Sequence, residues 1–294
     1  MKLIRHGMAG DEKPGLVDAE GRYRDLSGLV RDITGPALSP ESLARLKLVD
    51  PASLPLLPPD TRLGPCVGGT RNVVAIGLNY ADHAAETGSP IPAEPIVFNK
   101  APSSLCGPND TVILPKGSSC TDWEVELAIV IGRPASYVHA NEALNYVAGA
   151  CICNDVSERD WQMNRGPTWT KGKSAPTFGP LGPWLVTLDE IKDLKNLAMS
   201  LDVNGERRQT GSTATMIFDV PQLVAYTSHF MLLEPGDVIT TGTPPGVGLG
   251  MKPPRYLKAG DEMVLRIERL GEQRQTVIAF DDWTAKVSAG EPTD

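Results

Sequence analysis

The sequence predicts a mostly-β α+β protein, a rolled mixed β-sandwich preceded by a small N-terminal α+β domain. Three observations lead there. Glycine and proline supply 55 of 294 residues, about 19% against roughly 12% in ordinary chains, and both interrupt helices. Ten strand-like runs follow Val67, with few helical stretches between them. Pro40, Pro51, Pro55, Pro58, Pro59 and Pro65 set the first 68 residues apart.

Taken in order, the first residues alternate in short stretches, and Pro40–Leu46 reads as a helix with Ser39 as its N-cap. Strands are expected at 72–78, 96–98, 111–114, 124–131, 146–153, 184–187, 198–203, 237–241, 262–267 and 276–279, where apolar and β-branched residues lie between turn-forming ones. Helices are expected at 80–87, 141–144, 157–162 and 220–230. Residues 1–68 then form a small domain with a proline-rich linker, 69–288 a large catalytic domain, and 289–294 a C-terminal tail.

Hydrophobic residues at 41% and charged residues at 22% suit a globular chain that can bury its own core. A net charge of −8 argues against nucleic acid or an anionic membrane as main partner, since both reward clustered Lys and Arg. The start, Met1-Lys2-Leu3-Ile4-Arg5-His6, lacks the apolar core of a signal peptide, and no apolar run is long enough to span a bilayer. Five cysteines with no CxxC pair read as free thiols. A cytoplasmic location is expected.

Three familiar patterns fail. Gly166 to Ser174 has one residue too many between its glycines for a phosphate loop, and the prolines after it forbid the required helix. Gly246, Gly248 and Gly250 have the wrong third spacing for a dinucleotide site. Neither HExxH nor GxSxG occurs.

The segment Asp122-Trp-Glu-Val-Glu-Leu127 carries more. In a strand, Glu124 and Glu126 share one face, with Trp123, Val125, Leu127 and Ile129 on the other. At ~7 Å and an effective dielectric near 20 the two carboxylates repel by about 2 kcal/mol unless water or a cation intervenes. A solvated strand edge accounts for them, and so does a divalent-cation site completed by Asp155. Oxygen ligands select Mg²⁺ or Mn²⁺; Cys151 and Cys153, on the strand face of Asp155, keep a thiolate zinc site open. His83 and Glu86, three apart on a short helix, suit a carboxylate-held general base or an ordinary polar helix face. His6, His139 and His229 have no such partner.

Six ordered motifs together resemble the fumarylacetoacetate hydrolase family: Gly77-Leu-Asn-Tyr80 with His83 and Glu86; Phe98-Asn-Lys100; Asp122 to Leu127; Asn154 to Asp160; Lys171 to Ser174 with Thr177-Phe-Gly-Pro180; and Thr241 to Gly248. They span Arg71 to Phe280. The resemblance is nearest to bacterial members acting on 2,4-diketo-3-deoxy sugar acids. It implies the family's fold, Glu124, Glu126 and Asp155 as ligands of Mg²⁺ or Mn²⁺, and His83 with Glu86 as catalytic dyad. It further implies Lys173 as active-site lysine, Tyr80, Lys100, Arg159, Thr243 and Gly246 as substrate-binding residues, a small anionic substrate and a homodimer. The implied reaction cleaves the C3–C4 bond of a 2,4-diketo acid to pyruvate and a carboxylic acid. Isomerisation or decarboxylation of an oxo-dicarboxylate in the same pocket is the alternative, and a non-catalytic binding protein of the same fold a further one. Pro176 stands where relatives usually carry an acidic residue, so the loop after Lys173 is expected to be reshaped.

Overall fold

A computed structural model describes residues 1–191 and 193–289; the positions 290–294 of the expected tail lie outside them. Among the described residues, ten strands form one open, mixed sheet. Its order is Tyr23–Asp25, Lys13–Val17, Lys2–His6, Gly179–Thr187, Val147–Asn154, Val125–Ile131, Val238–Thr240, Val73–Gly77 and Ile96–Lys100, with Leu105–Cys106 beside Gly179–Thr187. Val238–Thr240 runs parallel to Val73–Gly77 and antiparallel to Val125–Ile131. A second sheet, in the order Glu206–Ser212, Ala198–Val203, Glu262–Ile267, Gly271–Ala279 and Val112–Leu114, packs on the first. The protein is thus mostly β with short helices, as its glycine and proline content requires.

The strand Val125–Ile131 is buried throughout, and its alternation divides its side chains between two cores. Trp123, Val125, Leu127 and Ile129 join Met199, Leu201 and Leu265 of the second sheet. Ala128 and Val130 face the other way and meet Leu3, Leu16, Leu26, Leu38 and Leu43. Each large aliphatic side chain so buried stabilises by about 1.5–3 kcal/mol, and a one-residue slip would expose the whole set. Register is therefore strongly held, and with it the side to which Glu124 and Glu126 point. Residues 1–68 are joined to the rest by the pairing of Lys2–His6 with Gly179–Thr187 and by this second core.

Pro40–Leu46 begins on Ser39, whose side chain accepts the Ser42 N–H. Val220–Phe230 carries a capping box between Asp219 and Gln222. The expected helix over 157–162 divides instead. Ser157–Glu158 pairs with Thr121–Asp122, and Arg159–Met163 starts where the Glu158 carboxylate accepts the Trp161 N–H. The strand Glu206–Ser212 has no apolar alternation to announce it, because it is a charged sheet edge. No described helix is long and apolar enough to cross a membrane.

Candidate active site

The strands Val125–Ile131 and Val147–Asn154 pair with Cys153 opposite Glu126, and the Asp155 N–H extends the pairing to the Glu124 carbonyl at 2.9 Å. This register brings Glu124, Glu126 and Asp155 together at one end of the large sheet. One oxygen from each lies within 4.8 Å of the others, and all three residues are buried. Two amides from outside the strand hold its start: Asn154 accepts the Glu124 N–H at 3.2 Å and Gln209 the Val125 N–H at 2.9 Å. The carboxylates line a cavity of about 750 Å³ with His83, Lys173 and Thr243.

Charge decides what this cluster can hold. Lys173 Nζ lies 2.7 Å from both Glu124 Oε2 and Asp155 Oδ2. Lys100 Nζ lies 2.6 Å from Asp155 Oδ1, and Arg159 Nη2 lies 2.7 Å from Glu124 Oε1 and 2.8 Å from Asp122 Oδ2. Four buried carboxylates thus face three buried cations. Among the described residues Glu126 pairs with no cation; its Oε2 accepts the Gly242 N–H at 2.8 Å. Burial, then the charges of Asp155 and Glu124, push the Glu126 carboxyl well above the usual carboxylate range. Burial also opposes ionisation of Glu124, but Lys173 and Arg159 outweigh it and hold that carboxyl below its usual range. Burial likewise works against the Lys173 charge, and Asp155 and Glu124 overcome it, raising the ammonium's affinity for its proton. An all-oxygen donor set with one negative charge left over fits a hard divalent cation. Cys151 and Cys153 pack into the second core instead, and no thiol belongs to the group.

The sign of a pH effect follows. A carboxyl whose folded pKa is raised contributes stability below its unfolded pKa of about 4.3, and that contribution is lost as pH rises through the folded value. Between pH 5 and 8, the metal-free protein is expected to lose thermal stability relative to a Glu126→Gln variant, with saturating Mn²⁺ restoring the wild type. Parallel melting curves of the two proteins across that range would contradict it.

The dyad stands on the helix Ala81–Thr87, where His83 Nδ1 lies 3.1 Å from Glu86 Oε2. Glu86 Oε1 accepts the Gly246 N–H at 2.9 Å. Gly246 has φ +104, and a Cβ there would lie 1.9 Å from the Arg208 carbonyl oxygen, so this turn needs glycine. A carboxylate held from two sides keeps the imidazole in one orientation and leaves Nε2 as the basic nitrogen.

Three expected substrate residues sit elsewhere. Tyr80 is fully buried in the core with its hydroxyl 3.2 Å from Met199 Sδ, because the residue before the helix turns inward. Lys100 is likewise buried, bonded to Asp155 and to the Lys173 carbonyl at 2.5 Å, so it positions a carboxylate and does not line the cavity. Gly246 spends its N–H on Glu86. Arg159 and Thr243 do line the cavity, although the Thr243 hydroxyl donates to the Val125 carbonyl at 2.9 Å. Pro176 lines a separate cleft. Sequence reasoning passed over Asp122, which has the same strand parity as Glu124 and Glu126, and Phe98 and Trp169, whose rings wall the cavity edge to face at 5.3 Å between centroids. For Lys100→Met the expectation is a loss of about 3–5 kcal/mol from breaking a buried pair, measured by denaturant unfolding, with no selective rise in KM. A selective KM rise at unchanged stability would return Lys100 to substrate binding.

Residues 72–278 match the family described as Fumarylacetoacetate (FAA) hydrolase C-terminal. A Burkholderia multivorans protein whose name specifies no substrate is 59% identical over 276 residues, covering 94% of this chain and 98% of its own. The 5-carboxymethyl-2-hydroxymuconate delta-isomerase of Mycobacterium smegmatis is 32% identical, with a TM-score of 0.75 over 95% of this chain and 99% of its own. The maleylpyruvate hydrolase of Sphingobium sp. SYK-6, solved with manganese(II) ion and pyruvate, is 28% identical, with a TM-score of 0.77 over the same shares. Hydrolases and isomerases thus share this fold, and the chain belongs to the fumarylacetoacetate hydrolase family.

Proposed function

We propose that this protein is a Mg²⁺- or Mn²⁺-dependent hydrolase that cleaves the C3–C4 bond of a 2,4-diketo acid, giving pyruvate and a second carboxylic acid. The observation that carries this reading is one cavity holding both a carboxylate-held histidine and three clustered carboxylates, of which Glu126 pairs with no cation among the described residues. Glu124, Glu126 and Asp155 would hold the cation, which supplies Lewis-acid stabilisation to oxygen that gains charge as the bond breaks. His83 takes a proton from water at Nε2 while Glu86 keeps the ring oriented. The water oxygen bonds to C4, the C3–C4 pair passes to the pyruvate fragment as its enolate, and a proton completes the methyl group at C3. Lys173 and Arg159 offset negative charge at the carboxylate end. Phe98 and Trp169 exclude water from one wall.

A 2,4-diketo-3-deoxy sugar acid is the proposed natural class, and a homodimer the proposed assembly. The isomerase among the structural relatives favours one alternative, proton transfer in the same site without an attacking water. Product analysis separates the two, because only hydrolysis releases pyruvate with a second acid. Acylpyruvates and diketo-deoxy sugar acids should lose their enol absorbance in the presence of Mg²⁺ or Mn²⁺; inactivity toward all of them would overturn the hydrolase reading.

A further inference from the structure

The turn that carries Gly246 has a second anchor, and it ends on the carboxylate cluster. Asp122 is fully buried. Its Oδ1 accepts the Gly248 N–H at 2.7 Å and its Oδ2 the Leu249 N–H at 2.9 Å. Oδ2 also takes Arg159 Nε at 2.8 Å, and the same guanidinium reaches Glu124 through Nη2. A Cβ on Gly248 would lie 1.9 Å from the Arg255 carbonyl oxygen and 2.8 Å from Asp122 Oδ1, so the backbone can approach this carboxylate only at glycine. One short turn therefore donates N–H groups to two carboxylates, Glu86 through Gly246 and Asp122 through Gly248 and Leu249. A Cβ on Gly250 would lie 3.0 Å from the Glu86 carboxyl carbon, so the turn passes close to that carboxylate there as well.

We propose that Asp122 is a positioning residue that sets the His83–Glu86 dyad in register with the carboxylate cluster, acting through the Gly246–Gly250 turn. The two halves of the site come from separate parts of the fold: the dyad from the helix Ala81–Thr87, the ligating carboxylates from the central strands. Among the described residues, Glu86 has one hydrogen-bond partner outside its own helix, the Gly246 N–H. Anything that shifts the turn shifts Glu86 and rotates the imidazole. Charge-assisted bonds to backbone N–H groups are short and directional, and a fully bonded buried carboxylate has no second arrangement of equal energy. Asp122 bonds neither His83 nor Glu86, and its effect on the dyad passes through Gly248, Leu249 and the turn to Glu86, separately from its bond to Arg159.

The turnover arm of the test rests on the hydrolase reading; the spectroscopic arm does not. In the full-length protein without metal, ¹⁵N shifts of the His83 ring report its tautomer, and His83→Gln identifies its signals among the four histidines. The wild type is expected to show the Nδ1–H tautomer, and Asp122→Asn a mixture of the two. With Mn²⁺ and an acylpyruvate, Asp122→Asn is expected to lose about 10- to 100-fold in kcat, as outer partners of a site commonly do, with KM little changed. In a Glu86→Gln background the same substitution should cost less than about threefold, because both act through one linkage. Leu249→Pro removes one of the N–H donors to Asp122 while leaving the carboxylate in place, and serves if Asp122→Asn does not fold. The expected result for it is the same tautomer mixture with a smaller kcat loss. An unchanged His83 spectrum in both variants, or losses that multiply in the double variant, would overturn the proposal. A wild type inactive on every acylpyruvate, with the tautomer shift intact, would remove the hydrolase reading alone.

Discussion

A Glu126→Gln protein is expected to fold, to lose measurable Mn²⁺ binding by electron paramagnetic resonance, and to lose about a thousandfold or more in metal-dependent turnover. Lewis-acid stabilisation worth several kcal/mol converts to at least that factor. This residue is the cleanest probe of the cluster for an electrostatic reason. Glutamine keeps the shape of the side chain and an oxygen for the Gly242 N–H, so the backbone around it stays paired. It also removes the one carboxylate that no cation offsets, so no charge is stranded. Glu124→Ala would behave differently. It takes away a carboxylate that Arg159 and Lys173 share, although Asp122 and Asp155 still partner them, and breaking buried pairs costs about 3–5 kcal/mol of stability. Loss of activity there would mix misfolding with loss of the ion. Full Mn²⁺ affinity in Glu126→Gln would exclude Glu126 as a ligand, and full turnover at saturating metal would exclude the cluster from the chemistry.

For His83→Gln, kcat is expected to fall by about 10²- to 10⁴-fold, the usual contribution of a positioned general base. Mn²⁺ affinity should stay near that of the wild type, because the imidazole is not in the carboxylate group. Glu86→Gln should cost less than His83→Gln, because the imidazole remains and only its orientation is released. A His83→Gln enzyme with wild-type kcat would move the base elsewhere in the cavity. An isomerase in this pocket would also need His83 to move a proton, so product analysis on the wild type has to accompany the variant.

Much of the fold could be read along the chain. Period-two alternation from Trp123 to Ile131 placed Glu124 and Glu126 on one face, and the structure puts the intervening residues in the expected core. The capping residue Ser39 sits where its helix starts. The i, i+3 spacing of His83 and Glu86 allowed the contact now seen at 3.1 Å. Less was legible where charge took the place of pattern. Glu206–Ser212 is a strand by its pairing with Ala198–Val203 and not by its own hydrophobicity. Glu124 and Val125 spend their N–H groups on Asn154 and Gln209 side chains, which no alternation rule reveals.

The sequence by itself determined the side-chain directions, the strand faces, the helix starts and the short-range His83–Glu86 pair, because those depend on backbone period and on neighbours within one turn. Only the tertiary structure decided which cation meets which carboxylate. Lys100 meets Asp155 across 55 positions, Lys173 meets Glu124 across 49, and the Gly248 N–H meets Asp122 across 126. Coulomb energy in a buried site follows distance in space, and packing sets that distance. The same packing turned Tyr80 and Lys100 away from the cavity and left Glu126, among the described residues, as the cluster's carboxylate without a cation.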